Sequence, residues 1–288
     1  MVILTIRFQD DFSSHSNFNA MKPMQHYTLI TGGSEGIGLE LARIFAANGH
    51  DLILVARDEA QLNSVKTELS ANGVEVVVIS ADLFDRSAAE NVYKSVKEKG
   101  LLVDILVNNA GQGVYGLFEE TDINRELDIV QLNVSSPLIL TKLFLKEMLS
   151  RGEGKILNLS SIASKAPGPW QSVYHGTKAF VQSFTEALRS EVKDKGITVT
   201  ALLPGATDTD FFNKADMLES KIVQDKDQLA DPAKVAKDGY DALMSGDDKV
   251  VSGLKNKAMV AMNNVMTDSA AAKMMGKQQE PVNQNDKK

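Results

Sequence analysis

The feature that most constrains the fold is a short apolar strand that leads directly into a glycine-rich turn and then into a helix. Residues 27–30 form the strand pattern, and residues 31–38 follow with the sequence Thr-Gly-Gly-Ser-Glu-Gly-Ile-Gly. Apolar residues then recur at helical spacing through residues 39–46. Glycine lets a phosphate approach the backbone, and a helix N-terminus offers free N–H groups and a favourable dipole, so this arrangement favours an anion site. A plain glycine-rich turn is the alternative, because the spacing matches neither the G-x-G-x-x-G fingerprint nor a Walker loop.

The alternation of strand and helix continues along most of the chain. Helical patterns separate the further strands that we predict at 51–55, 74–79, 103–107, 154–159, 197–203 and 250–251. The longest of these helical patterns, at 121–150, includes a Ser-Ser-Pro sequence at 135–137 where a bend is expected. Strands that alternate with helices predict an α/β fold with a three-layer, doubly wound parallel sheet of about seven strands. We place it in a single domain over residues 25–253.

Composition excludes several classes of protein. The chain has 288 residues, 43% apolar and 24% charged, which is typical of a soluble globular protein. Its net charge of −7 argues against a nucleic-acid surface as the main function. The absence of cysteine rules out disulfides and fits a cytoplasmic location, and no apolar run is long enough for a membrane span. We expect no metal site, because none of the four histidines is spaced as a ligand pair.

The two ends of the chain differ from the part between them. We expect residues 1–24 to be a disordered leader or an artefact of an upstream start site, with an extra edge strand at 2–6 as the alternative. After the last strand, residues 254–288 predict a helical extension in which apolar residues, many of them methionine, recur at helical spacing. We interpret this stripe as a cover for the core or a subunit contact, with a substrate lid or membrane docking as alternatives, and expect disorder from Gln278 onward.

The end of the second strand bears on the choice of cofactor. In a dinucleotide-binding βαβ unit, an acidic residue there bonds the ribose 2′-hydroxyl of NAD, whereas a basic residue accommodates the 2′-phosphate of NADP. Arg57 occupies this position and favours NADP(H) over NAD(H) by its charge. Two alternatives stay open: that Asp58 reaches the ribose, or that Arg57 is only a solvated charge at a helix start.

Polar residues also lie at the ends of other strands and within the long helical pattern. Asp82 and Leu83 lie where an adenine is expected, although Asp82 is equally suited to capping a helix. An Asn-Asn-Ala-Gly sequence at 108–111 is either a structural turn or a floor beneath the cofactor. Asn133 lies in an apolar helical stretch, and its buried amide therefore either bonds local backbone or anchors a water near the active centre.

A tyrosine and a lysine four residues apart carry the candidate chemistry. A helix is predicted from about Tyr174, and residues four apart share a face, so Tyr174 and Lys178 are neighbours. A nearby ammonium favours the phenolate, which is expected to lower the tyrosine pKa from about 10 towards neutrality. The phenol then exchanges a proton with a substrate oxygen. An ordinary surface pair of tyrosine and lysine is the alternative.

Taken together, these features resemble those of the short-chain dehydrogenase/reductase family, whose members have a Rossmann fold. The resemblance covers residues 25–253 and rests on Thr31-Gly32-x-x-x-Gly36-x-Gly38, Asn108-Asn109-Ala110-Gly111, Asn133, Ser161, Tyr174-x-x-x-Lys178 and Pro204-Gly205. Each motif is weak alone, but their order along the chain is specific.

The resemblance implies roles for these residues. Tyr174 is expected to give or take the proton, Lys178 to lower its pKa and bind the nicotinamide ribose, Ser161 to polarise the carbonyl, and Asn133 to hold a water in a proton relay. Ser161 is preferred to Ser160 because of its interval from the tyrosine. The implied NADP(H) site comprises Gly32, Ser34, Gly36, Ile37, Gly38, Arg57, Asp82, Leu83, Asn109, Ala110, Gly111, Tyr174, Lys178, Pro204, Gly205, Thr207 and Thr209. His175 is expected to pack off the Tyr174–Lys178 face.

The implied function is an NADP(H)-dependent oxidoreductase that moves a hydride between nicotinamide and a carbonyl or secondary alcohol. The substrate is expected between the Trp170 region and residues 210–231, a loop long enough to be a partly helical lid whose apolar content favours a small hydrophobic molecule. We expect a homodimer or homotetramer. The alternatives are a non-catalytic NADP-binding regulatory protein, or a sugar-nucleotide epimerase or dehydratase, for which too few C-terminal residues remain.

Overall fold

The computed structural model describes residues 26–225 and 229–282, and they contain a seven-stranded parallel sheet with helices on both faces. The strand order is β3-β2-β1-β4-β5-β6-β7, with strands β1 His26–Thr31, β2 Asp51–Ala56, β3 Val76–Ser80, β4 Leu102–Asn108, β5 Gly154–Leu159, β6 Ile197–Leu203 and β7 Lys249–Val251. The predicted doubly wound parallel sheet is confirmed. The predicted leader at 1–24 and the last residues, 283–288, lie outside the described residues.

Each strand is apolar on both faces because the sheet is covered on both sides. Neighbouring residues of a strand point to opposite faces, and Leu29 and Ile30 of β1 accordingly belong to two separate apolar clusters. Phe144 packs in the cluster on one face and Phe45 in the cluster on the other. The strands are therefore held in register by two cores, and their ends are the places where polar residues can gather.

The helices connect the strands and close the two outer layers. Their bounds are α1 Gly36–Ala47, α2 Glu59–Ser70, α3 Ala88–Glu98, α4 Ile123–Val130, α5 Ser136–Arg151, α6 Ser172–Val192, α7 Phe211–Lys214, α8 Lys221–Gln224, α9 Pro232–Ser245, α10 Leu254–Asn263 and α11 Asp268–Gln279. In the part of the chain that is described, every helix is too short or too polar to cross a bilayer.

The helix predicted over 121–150 is in fact two helices joined by a turn of π-helix at Gln131–Ser135. The expected bend at 135–137 therefore begins four residues earlier than predicted, and Pro137 lies in the first turn of α5, where its missing N–H costs little. A π-turn interrupts the regular hydrogen bonds of a helix and is common at functional sites. Here it carries Asn133, which is 2% exposed.

The C-terminal extension forms helices α10 and α11, and its apolar stripe is only partly buried. Met275 is buried against Ala166, but Leu254 and Val265 are more than 80% exposed, so much of the apolar stripe covers no core in this chain. Order also extends past Gln278, because Gln279 is buried in the last turn of α11 and Pro281 forms a bridge with Ser220. The composition after residue 278 indicated disorder, but contacts with distant segments hold residues 279–282 in place.

The first turn of α1 provides a test of how closely the glycine turn is packed. A Cβ on Gly38 would lie 2.0 Å from the carbonyl oxygen of Gly32 and 2.3 Å from Nδ2 of Asn109. We expect Gly38→Ala to lower the free energy of unfolding by about 1–3 kcal/mol, because the backbone has to move. Urea denaturation measures this change in the free energy of unfolding.

Gly176→Ala is the matched control, since a Cβ at this helical position meets nothing within 4 Å. The control should gain up to about 1 kcal/mol of stability from helix propensity. Equal stability changes in the two variants would contradict the close packing of the turn.

Candidate active site

The functional residues converge at the carboxyl edge of the sheet. The chain reverses its direction of strand addition between β1 and β4, and ligands of doubly wound sheets bind at such a point. A cleft of about 480 Å³ lies there. Apart from Asn133, every residue predicted for the site lines this cleft: Gly32, Ser34, Gly36, Ile37, Gly38, Arg57, Asp82, Leu83, Asn109, Ala110, Gly111, Ser161, Tyr174, Lys178, Pro204, Gly205, Thr207 and Thr209.

The glycine turn is shaped by backbone conformation and by one asparagine. Gly32 and Gly36 have positive φ angles of 64° and 52°, which other residues adopt only with strain. The side chain of Asn109 donates to the carbonyl oxygens of Thr31 (2.8 Å) and Gly32 (3.0 Å). No side chain caps the N-terminus of α1, because Glu35 makes no capping hydrogen bond. The turn and the helix start therefore fit the pyrophosphate of a dinucleotide.

The residues that follow β2 and β3 were predicted to lie near the adenosine half of the cofactor, and their contacts narrow the alternatives for their roles. Asp58 accepts a hydrogen bond from the backbone N–H of Gln61 (2.9 Å) and caps α2, so its carboxylate has a structural use. Arg57 is exposed and lies with its guanidinium 5.4 Å from the ring centroid of Phe84. Asp82 does not cap α3, which begins at Ala88; it accepts from the N–H of Phe84 instead (3.2 Å).

Ser161, Tyr174 and Lys178 lie together in the cleft, where Ser161 and Lys178 are buried (7% and 6% exposed) and Tyr174 is half-buried. The ammonium of Lys178 donates to the carbonyl oxygen of Leu159 (2.9 Å) and lies 5.8 Å from the ring centroid of Tyr174. The hydroxyl of Ser160 donates to the carbonyl oxygen of Lys178 (3.0 Å), which leaves Ser161 as the serine beside the phenol.

Burial controls the protonation of this group. It raises the pKa of Tyr174 to about 12, and the Ser161 hydroxyl acts in the opposite direction more weakly. Burial also lowers the pKa of Lys178 to about 8. The expectation that Lys178 depresses the tyrosine pKa is therefore wrong for this arrangement, because the desolvation of the phenolate outweighs any attraction from an ammonium bound to a backbone carbonyl.

Asn133 bonds backbone, but that of Gln112, 21 residues earlier in the chain, and not the local backbone that the sequence offered as one of its two uses. Its side chain accepts from the N–H of Gln112 (3.1 Å) and donates to the carbonyl oxygen of Gln112 (2.9 Å) and to Thr177 (3.0 Å). A Cβ on Gly111 would lie 3.3 Å from the Asn133 oxygen and 3.2 Å from the Lys178 ammonium. The amide and the ammonium thus approach the same glycine from two helices.

Comparison with known proteins identifies the family. The family model described as short chain dehydrogenase matches residues 26–219. The chain belongs to the short-chain dehydrogenase/reductase family. Its predicted membership is confirmed, and the family consists of dehydrogenases and reductases.

Individual relatives match at moderate identity. Dehydrogenase/reductase SDR family member 7B of Danio rerio is 32% identical over 78% of this chain and 77% of its own length. A short chain dehydrogenase of Pseudocercospora fijiensis is also 32% identical, over 64% of this chain, which spans only 60% of that protein. Among solved structures, a short-chain dehydrogenase from Sphingobium yanoikuyae in complex with NADPH is 28% identical, with a TM-score of 0.74 over 86% of this chain and 98% of that one.

Beside Tyr174 the cleft is lined by Phe211 of the predicted lid and by two glutamines that the sequence patterns missed. Phe211 lies with its ring centroid 5.2 Å from that of Tyr174, within the predicted lid, where α7 and α8 supply the helical parts. Gln171 and Gln279 also line the cleft and are buried, but neither was predicted. Glutamine carries no motif, and Gln279 lies beyond residue 219, where the family match ends.

His175 packs as predicted, off the Tyr174–Lys178 face and buried. Its Nδ1 bonds to the carbonyl oxygen of Ala166 (2.7 Å), and Gly168 lies so close that an added Cβ would be 2.1 Å from the ring. His175 thus joins α6 to the loop that follows Ser161. Thr207 and Thr209 both reach the cleft, and the hydroxyl of Thr207 donates to the carbonyl oxygen of Gly205 (3.0 Å).

The lowered pKa of Lys178 predicts how stability depends on pH. Its pKa is about 8 in the folded protein and 10.5 in the unfolded chain. The unfolded chain therefore binds more protons between these values, so this lysine makes stability rise with pH from about 8 to 10.5, by roughly 3 kcal/mol in all.

The raised pKa of Tyr174 makes stability fall with pH above 10, which would partly mask the effect of the lysine. The measurement therefore removes the phenol from both proteins and compares Tyr174→Phe with the double variant Tyr174→Phe, Lys178→Met. Urea unfolding at several pH values gives the free energy of unfolding of both variants. The difference between the two values should grow from about pH 8 to 10.5. A difference that stays constant would contradict the burial of an ionisable lysine.

Proposed function

We propose that this protein is an NADP(H)-dependent oxidoreductase that transfers a hydride between the nicotinamide and a carbonyl or secondary alcohol, with Tyr174 as the general acid or base. The observation that carries the proposal is the meeting of Ser161, Tyr174 and Lys178 in the same cleft as the glycine turn. A binding protein without turnover has no use for a half-buried proton donor beside a buried cation, because removing such groups from water costs folding free energy.

Each side chain has a role that follows from its surroundings. With a pKa near 12, the Tyr174 phenol is protonated at neutral pH and is ready to donate to a carbonyl oxygen, which suits reduction. The Ser161 hydroxyl donates a hydrogen bond to the same oxygen as negative charge develops on it. Lys178, held by the carbonyl of Leu159, binds the ribose. Bound NADP(H) supplies or accepts the hydride.

The proton that Tyr174 gives up has to be replaced from solvent. Asn133 and Lys178 both approach Gly111, and this pairing supports a relay from the lysine towards the surface. In the family-derived role, the Asn133 carbonyl holds a water for this relay. That oxygen already accepts from the N–H of Gln112, and an amide oxygen has a second lone pair for the water.

Two features favour NADP(H) over NAD(H). Arg57 is exposed at the end of β2, and Asp58, which would bind a ribose hydroxyl, is occupied as a helix cap. The similar Sphingobium yanoikuyae dehydrogenase was solved in complex with NADPH. The side chains of Asp82, Leu83 and Asn109 enclose the adenosine half, and Thr209, with Thr207 as second choice, binds the carboxamide.

The substrate is a small hydrophobic carbonyl compound or alcohol. The cleft beyond Tyr174 is lined by apolar residues of the lid and of the C-terminal helices: Phe211, Phe212, Met217, Ile222, Met259 and Met275. Of the apolar lid residues predicted from sequence, Leu218 is half exposed and does not line the cleft. A cytoplasmic location and a homodimer or homotetramer remain predictions.

Tyr174→Phe tests the proposed acid. It removes the proton donor and keeps the ring, so kcat for ketone reduction should fall by about 10³-fold or more. The Kd for NADPH, measured by fluorescence titration, should stay within a factor of about three, because the ring contacts remain.

Tyr240→Phe is the control, because this tyrosine packs on Phe45 and lies outside the cleft lining. Turnover retained in Tyr174→Phe would refute the assignment of the phenol.

Arg57→Ala tests cofactor choice. Losing a charge-assisted contact to the 2′-phosphate should weaken NADPH binding about 10-fold or more and leave NADH binding unchanged. Arg189→Ala on α6 serves as control, because Arg189 does not line the cleft. Equal losses for both cofactors would show that Arg57 does not contact the 2′-phosphate.

A further inference from the structure

The last turn of α11 and the residue that follows it pack against the substrate side of the cleft. Gln279, the last residue of α11, is 3% exposed, and its carbonyl oxygen accepts from the Tyr115 hydroxyl (2.6 Å). Glu280 follows, and its carboxylate pairs with Lys221 of the lid (2.6 Å). The C-terminal segment thus contacts both the lid and the loop before α4. It places the Gln279 side chain beside the residue that follows the candidate acid.

His175 fixes the orientation of two glutamine side chains. Its Nδ1 faces the carbonyl oxygen of Ala166 and therefore carries the proton, so its Nε2 is an acceptor. Nε2 of Gln279 lies 2.9 Å from that acceptor and donates to it. The same amide nitrogen lies 3.4 Å from Oε1 of Gln171. The contacts of one histidine thus determine which end of each amide remains to be satisfied.

Each of these glutamines keeps one buried polar atom without a partner in the described part of the chain. These atoms are Nε2 of Gln171, a donor, and Oε1 of Gln279, an acceptor. Both side chains are more than nine-tenths buried, and both residues line the cleft. An amide group that is buried and unpaired costs free energy, which a ligand recovers if the side chains turn towards it.

The spare donor and acceptor define what such a ligand group must be. A hydroxyl or a primary carboxamide can accept from one amide and donate to the other, whereas a carboxylate only accepts and an ammonium only donates. Among the described lid residues a carboxylate also finds no unpaired lysine, because Lys214 is paired with Glu35 and with Asp210 (3.3 Å), and Lys221 is paired with Glu280. Apolar side chains, including Met217 and Met275, form much of the remaining surface.

We infer that Gln171 and Gln279 together determine substrate specificity by recognising a neutral hydroxyl or carboxamide on an otherwise apolar substrate. The inference rests on the proposed function, since it concerns the same cleft and the same hydride transfer. It narrows the substrate class to an uncharged ketone, or the corresponding alcohol, with a second polar group away from the reacting carbon. Both glutamines are specificity residues, and neither takes part in the proton transfer.

The test uses NADPH oxidation by the full-length protein with a matched series of bicyclic ketones of the decalin type. The members carry a hydroxyl, a carboxamide, a methyl or a carboxylate group at the ring position farthest from the ketone. We expect kcat/KM for the hydroxyl or the carboxamide ketone to exceed that for the methyl and carboxylate ketones by about 10- to 100-fold.

Gln279→Met and Gln171→Met preserve side-chain length and remove the amide. Each should reduce the preference for the polar over the methyl ketone to within about threefold, and the double variant should lose no more than either single variant, because both amides bind one group. Lys277→Met is the control, since Lys277 is exposed on the same helix and does not line the cleft. It should keep the preference of the parent protein.

The outcomes separate this inference from the proposed function. Turnover of the ketones without discrimination, or an equal loss on all of them in Gln279→Met, overturns the inference and leaves the oxidoreductase in place. An equal loss on all the ketones would mean that Gln279 only positions His175. If no ketone is reduced although NADPH binds, the proposed function fails and the inference fails with it. Should a variant fold poorly, the preference of the parent protein for the polar over the methyl ketone still decides the case.

Discussion

The site depends on holding a lysine inside the protein. Lys178 is nearly inaccessible to water, and its ammonium is held by the backbone carbonyl of Leu159, the last residue of β5. A shift of its pKa from 10.5 to about 8 represents roughly 3 kcal/mol that the rest of the fold has to offset. Such a cost is typical of functional sites, where local stability is given up for chemistry. The helix that carries the lysine also carries Tyr174 one turn earlier, so one packing arrangement sets both groups.

The order of the strands explains why these residues meet. Parallel strands end at the same edge, and β1, β4 and β5 lie side by side although they are far apart in sequence. The glycine turn, Asn109 and Ser161 follow these strands and therefore become neighbours. The apolar clusters on the two faces keep the strands fixed, which allows a helix start and a set of strand ends to form one site.

Much of the fold and of the site could be predicted, because the features involved are local. Apolar strands that alternate with helical patterns predicted the parallel sheet, and the family resemblance carried by the glycine, asparagine and Tyr174–Lys178 motifs predicted which residues line the cleft. The π-turn around Asn133 could not be predicted, since it depends on how α5 packs and not on its own residues. The predicted direction of the Tyr174 pKa shift was wrong for a similar reason. The spacing brings the Lys178 ammonium near the phenol, but burial decides whether its attraction or the desolvation of the phenolate is the larger effect.

The C-terminal segment shows how one chemistry can serve different substrates. The residues proposed for proton and cofactor handling all lie before position 219, where the family match ends, whereas Met259, Met275 and Gln279 lie after it. A segment outside the shared core can vary with little effect on Tyr174 or Lys178, because it reaches them through His175, the lid and the loop after β5, where Met275 packs on Ala166. The proposed selectivity thus depends on side-chain contacts outside the shared core, and those contacts are where it can change.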